Sequence, residues 1–234
     1  MRTFPIGFAL MAILVSLSMG KESMKLYANH EALLMVAGGT IAILVMSSPA
    51  ETLKRLFRAI RSAFGPQQKI SHYQAEFDEL MQKKSLSEKS ENELINYAVE
   101  LWSGGIEAEL FVNLVSQKRD ELERGYLDAV HALRNLAKYP PALGMTGTVM
   151  GLVSLLSMLG QNQEGLGPAL ALAMTATFFG LVLSNCLVTP LADHLQVRQV
   201  QNERLYTGIF QILVLIEQGE APALIKDEVK DRAA

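Results

Sequence analysis

Four windows of this 234-residue chain contain no Asp, Glu, Lys or Arg: Thr3–Gly20, Ala32–Ala50, Tyr139–Gln163 and Gly165–Ala192. A bilayer core is crossed by roughly 20 apolar residues in a helix that rises about 1.5 Å per residue. The last two windows exceed that length and the first two just reach it, so the sequence predicts an all-α integral membrane protein with four spans. Half the residues are hydrophobic and only 19% are charged, against about 25% in an ordinary soluble domain. For the first window there is a competing reading. Met1-Arg2 before it and Ser18-Met19-Gly20 at its end also fit a cleaved signal peptide, which would leave three spans.

Basic residues close to span ends set the orientation. Lys54, Arg55, Arg58, Arg61 and Lys69 follow the second window, against a single acid, Glu51. The loop between the third and fourth windows, Gly160–Gly167, has no basic residue, and the loop between the first two has only Lys21 and Lys25. The segment from about Glu51 to Lys138 is therefore expected in the cytoplasm, with both termini. The expected domains are residues 1–50 (two spans joined by a periplasmic loop at about 21–31), a cytoplasmic helical domain at 51–138, two further spans at 139–192, and a cytoplasmic helix and tail at 193–234.

The cytoplasmic part reads as packed amphipathic helices. Leu94, Ala98, Leu101 and Trp102 recur at helical spacing, as do Leu110, Leu114 and Val115, and then Ala129, Leu133, Leu136 and Ala137. Gly65-Pro66 and Gly104-Gly105 are breaks, and the polar run Gln82–Asn92 is expected to be a loop or helix tip. Beyond the fourth span, Leu195, Val197, Leu205, Ile209, Ile212, Leu213 and Ile216 continue a helix that Gly219 and Pro222 stop. There is no phosphate-cradling Gly-rich loop, metal-ligand spacing or nucleophile elbow, so no catalytic residue, metal or cofactor is expected, and no nucleic-acid partner. The lone Cys186 lies inside a span and cannot form an intramolecular disulfide.

The third and fourth spans are rich in small residues. Gly144, Gly147 and Gly151 line one, while Ala169, Ala173, Thr177, Gly180 and Ser184 form a stripe on the other. Small residues let helices approach closely in lipid, where packing drives association. Thr148 and Thr177 lie on these stripes. Their hydroxyls either bond back to their own helices or offer oxygens to an ion, a water chain or a partner's carboxylate. No span carries an ionisable residue in its centre. A proton path across a membrane normally needs one, so if this chain moves ions, another chain must supply it.

These residues carry a family resemblance. Pro141-Ala-Leu-Gly-Met-Thr-Gly-Thr-Val-Met-Gly-Leu, Gly167-Pro-Ala-Leu-Ala, Thr177-Phe-Phe-Gly, Ser184-Asn185 and Pro190-Leu-Ala-Asp resemble the paired pore helices of MotA/PomA-type stator subunits, within the MotA/TolQ/ExbB family. Gly38-Gly39-Thr40, Trp102-Ser-Gly-Gly and Glu217-Gln-Gly219 with Pro222 extend the likeness over nearly the whole chain. The resemblance implies a homopentameric ring in the bacterial inner membrane. This ring surrounds two copies of a single-span B-type (MotB/PomB-like) subunit that brings a pore aspartate. Flow of H+ or Na+ would then drive torque on a rotor switch-complex protein. It assigns Thr148 and Thr177 to the ion path and Pro141 and Pro190 to the membrane boundaries, around the packing residues Gly144, Gly147, Gly151, Ala173 and Gly180.

The chain departs from the family pattern in two respects. Sodium-type members often show two successive threonines in the fourth span, and here Ala176 takes the first place, which leaves the ion open. The cytoplasmic segment also looks shorter than usual and lacks a recognisable Gly-Leu-Leu-Ala-Leu-Glu stretch. Lys83, Lys84, Glu88, Lys89 and Glu91 are the candidate rotor contacts in that region, with a plain solvated face as the competing reading. The shorter segment also keeps open an ExbB/TolQ-like energiser of an outer-membrane or envelope system. A solute transporter is disfavoured, because neither internal repeats nor broken, polar-lined helices are evident.

Overall fold

A computed structural model describes residues 6–7, 9–13, 29–66, 68–159 and 165–220. Residues 6–7 and 9–13 are helical, and the rest of the first expected span lies outside the described residues. Every regular element among the described residues is helical: α1 (His30–Ser47), α2 (Ala50–Ala63), a 3₁₀ turn (Ile70–Tyr73), α3 (Gln74–Lys83), α4 (Glu93–Ser103), α5 (Ala108–Leu136), α6 (Tyr139–Met158), α7 (Leu166–Val182) and α8 (Thr189–Gln218). Among the described residues, three helical stretches are long and apolar enough to cross a membrane: His30–Ser47, one within Ala108–Met158 and one within Leu166–Gln218.

The ends of these helices have local causes. The Asn29 side chain accepts from the backbone N–H groups of Glu31 and Ala32 and caps α1, satisfying donors that a first turn leaves unpaired. At its other end Ser48 precedes Pro49 and is extended, as steric conflict with the proline ring requires. Asn92 caps α4 in the same way, accepting from the N–H of Leu94. Gly219, at φ +71°, ends α8 in a conformation that costs glycine nothing. Two single turns of π-helix interrupt the apolar helices, at Leu34–Gly38 within α1 and at Leu183–Val188 between α7 and α8.

The chain forms two compact units, residues 1–58 with 128–196 and residues 59–127 with 197–234. In the first, Ala32 and Val36 of α1 pack against the fully buried Ala176 of α7, flanked by Leu172, Phe179 and Leu183. Much of the remaining apolar surface is open: Val149, Val153, Leu156 and Met174 are each 60% or more exposed. In a helix built for water these side chains would be inside.

The second unit has an ordinary hydrophobic core. Tyr73, Phe77, Leu80, Leu94, Ile95, Ala98, Phe111 and Val115 are buried with Leu205, Ile209, Ile212, Leu213 and Ile216. The helical spacing read from the sequence holds for α4, the end of α8 and, in α5, Val115, Ala129, Leu133 and Leu136, but not for Leu110. Leu110 is exposed and Phe111 is fully buried, because the Phe111 ring stacks on Trp102 with centroids 4.9 Å apart. Val197 is also exposed. α2 is amphipathic too, with Leu53, Leu56 and Ile60 at i, i+3 and i+7.

Candidate functional site

α6 and α7 run antiparallel and touch along their small-residue stripes. A Cβ placed on Gly144 would stand 2.9 Å from the Ala176 carbonyl oxygen and 3.1 Å from the Thr177 Cα. On Gly151 it would meet the Ala173 Cβ at 2.7 Å and the Ala169 oxygen at 2.8 Å, and on Gly147 the Ala176 Cβ at 2.5 Å. On Gly180 it would lie 2.5 Å from the Pro140 carbonyl oxygen. Backbone thus packs on backbone at Gly144, Gly151 and Gly180, and nothing larger than hydrogen fits there.

This close approach brings Thr148 and Thr177 together. Their hydroxyls are hydrogen-bonded to each other. The Thr148 hydroxyl also reaches the carbonyl oxygens of Gly144 and Ala173, at 3.1 Å each, and the Thr177 hydroxyl reaches that of Gly144 at 3.3 Å. Both residues are half-buried. A hydroxyl carries one donor and two acceptor lone pairs, so the pair can present an oxygen while keeping its carbonyl bonds, or turn a proton outward by giving up one of the bonds it now donates. It can therefore meet an ionised carboxylate as donor and a protonated one, or a cation, as acceptor. Thr175 differs: it is buried, and its hydroxyl donates to Ala171 in its own helix at 2.7 Å.

Sequence reading placed Thr177 on the packing stripe. The structure keeps Thr177 there, its Cα 3.1 Å from a Cβ placed on Gly144 and its side chain half-buried, and sets the fully buried Ala176 beside it against Gly147. Pro141 and Pro190 are both half-buried, whereas Pro140 is buried and lends its carbonyl to the Gly180 contact. Ser184, in the π turn, donates to the Ala137 carbonyl at 2.6 Å. It thereby satisfies an oxygen that the break between α5 and α6 would otherwise leave unpaired.

The five charged candidates near residue 85 are all exposed, but they do not form one set. The Lys84 ammonium lies 2.6 Å from the Glu217 carboxylate, which also accepts from the Trp102 indole N–H at 2.6 Å. Glu91 accepts from Gln68. Lys83, Glu88 and Lys89 make no ion pair among the described residues. Sequence reading missed Glu217 as an anchor, since its partners lie more than a hundred residues away. It also missed Arg198, which is buried and donates to the carbonyls of Ala63 at 3.1 Å and Gly65 at 2.6 Å. Burial lowers the Arg198 pKa from its usual value. Burial likewise raises Glu123, despite the opposing charge of Arg119, and lifts Tyr206 to about 12.

A model of the MotA/TolQ/ExbB proton channel family matches residues 78–207, more than half of the chain. The chain belongs to this family. Three apolar helices of spanning length among the described residues, and membership of a channel family, make it a membrane protein. Similar relatives include the Motility protein A of Borreliella burgdorferi, 24% identical over 96% of this chain and 89% of the relative. The Motility protein A of Bacillus subtilis is 23% identical over 96% and 87%. The Chemotaxis protein PomA of Vibrio alginolyticus is 26% identical over 96% and 90%. In fold, the chain is similar to the C. jejuni MotAB structure, with a TM-score of 0.82 at 17% identity, covering 100% of this chain and 96% of that one. It is also similar to the flagellar MotAB stator complex of Bacillus subtilis, with a TM-score of 0.76 at 23% identity, covering 97% and 96%.

Proposed function

We infer that this chain is the A-type subunit of a flagellar stator, coupling H+ or Na+ flow across the bacterial inner membrane to torque on the rotor. The observation that carries this reading is the Thr148–Thr177 hydroxyl pair on two tightly packed apolar helices that have no carboxylate of their own. Such a pair needs a titrating group from another chain. A single-span B-type subunit with a pore aspartate, the partner that the family resemblance implies, would supply it.

In this reading four helices span the membrane, five copies form the ring, and both termini and the 51–138 segment face the cytoplasm. The basic residues after α1 support that orientation. Pro141 and Pro190 mark the membrane boundaries, and Lys83, Glu88 and Lys89 are the charges left to meet the rotor. The ExbB/TolQ-like alternative is less supported. The motility relatives align over close to nine-tenths of their own length, so the shorter cytoplasmic segment removes little of a motor subunit.

Complementation tests the reading. Expressed with its native B-type partner in a motile strain lacking stators, this chain is expected to restore swimming. Restored envelope energisation with no motility would favour the alternative instead.

A further inference from the structure

A second polar site lies away from the α6–α7 pair, beside the end of α1 and the start of α6. It is a cavity of about 460 Å³ within the first unit, and among its lining residues only Pro49 and Ala132 are apolar. Ser48, Thr52, Asp128, His131, Asn135 and Tyr139 line it. Among the described residues, the hydroxyls of Ser48, Thr52 and Tyr139 and the His131 imidazole make no hydrogen bond. Asn135 accepts from Lys138 at 3.0 Å, and Asp128 faces Arg55 at a loose 3.5 Å, with both side chains about half exposed.

Position and charge together narrow the occupant. The apolar stretch of α1 ends at Ser47 and that of α6 begins at Tyr139, so the cavity stands at the level where lipid headgroups meet spanning helices. Tyrosine is enriched at that level. The cavity presents neutral hydroxyls and an imidazole, groups that donate to phosphate oxygens, together with one carboxylate. A purely anionic headgroup would bring its charge up against Asp128. A trimethylated ammonium has no N–H to offer that carboxylate, whereas a primary ammonium has three.

We propose that this cavity binds the headgroup of an aminophospholipid of the phosphatidylethanolamine class. The phosphate meets Ser48, Thr52, Tyr139 and His131, and the ammonium meets Asp128. The proposal rests on the membrane reading of α1 and α6. Charge-assisted hydrogen bonds from the ammonium to Asp128 give the selectivity, and the hydroxyls hold any phospholipid alike.

The test uses the full chain purified in its native complex and reconstituted into nanodiscs of equal phosphatidylethanolamine, phosphatidylcholine and phosphatidylglycerol. Native mass spectrometry then reads the retained lipid. Phosphatidylethanolamine should be retained over each of the others by about tenfold, the discrimination that one hydrogen bond to a charged group provides. Asp128→Asn should abolish that preference and, by releasing Arg55, shift it toward phosphatidylglycerol. Thr52→Val should lower retention of all three lipids together. Equal retention of the three by the unaltered chain, or an unchanged preference in Asp128→Asn, would overturn the proposal. Failure of the chain to enter nanodiscs at all, read separately from the incorporated fraction, would overturn the membrane reading beneath it.

Discussion

The hydroxyl of Thr148 on α6 is hydrogen-bonded to the hydroxyl of Thr177 on α7, and both lie over the Gly144 carbonyl. The contact exists because Gly144 and Gly180 carry no side chain between the two backbones. Thr177→Val keeps the volume and removes the hydroxyl. A hydrogen bond to a charged group is worth roughly 1.5–3 kcal/mol, or about a tenfold to hundredfold change in rate. Ion-driven swimming should fall by that order while membrane insertion and assembly persist. Thr175→Val, whose hydroxyl serves only its own helix, should be much milder. Equal loss from both substitutions would make the hydroxyls structural.

Packing makes a sharper distinction between two glycines. Gly180→Ala drives a methyl into the Pro140 carbonyl and the Gly144 Cα, both of them backbone. Overpacking of this kind costs about 1–3 kcal/mol. Gly38→Ala meets nothing within 4 Å and should leave stability unchanged or slightly raised. Thermal melts of the reconstituted protein compare the two.

Within the second unit, Glu217 holds both Lys84 and the indole of Trp102. Glu217→Ala leaves a half-buried N–H without its acceptor, at a cost of about 1–3 kcal/mol. Lys84→Ala removes a partly exposed ion pair, worth at most about 1 kcal/mol. Trp102 is the only tryptophan, so intrinsic fluorescence during urea unfolding reads this site directly. Equal destabilisation by the two substitutions would count against Glu217 as the anchor.

Much of this arrangement was legible in the residue pattern. Three of the four charge-free windows coincide with helices of spanning length among the described residues, and the glycine and alanine stripes are the faces along which α6 and α7 meet. Helical spacing identified Leu94, Ala98, Ile209 and Ile212 as core. The remainder depended on contacts distant in sequence. Phe111 displaced Leu110 from the core because Trp102 stacks on it, and Glu217 gained its role from Lys84 and Trp102. Nothing in the residue pattern marks Arg198, which the fold places against the carbonyls of Ala63 and Gly65 at the end of α2. The π turns at Leu34–Gly38 and Leu183–Val188 shift the facing residues without changing the hydrophobic pattern, so periodicity could not reveal them.

Glu123 predicts a pH dependence. Burial raises its pKa above the ordinary carboxylate value, with Glu203 and Asp120 adding to the shift and Arg119 opposing it. The folded state then binds the proton more tightly than the unfolded state. Stability from this group is greatest when it is protonated and is lost as pH rises from the ordinary value through the raised one. Glu123→Gln should flatten that slope and stabilise the protein at neutral pH. Melts at acidic and neutral pH check it, and an unchanged slope would assign the dependence to other groups.

Ion flux into liposomes tests the central claim most directly. With no Asp, Glu, Lys, Arg or His in the centre of any span, this chain alone should conduct negligibly, and selective H+ or Na+ flux should appear only when the B-type partner is co-reconstituted. Replacing the partner's membrane aspartate with asparagine should abolish the flux again. Robust selective current from this chain by itself would contradict the account.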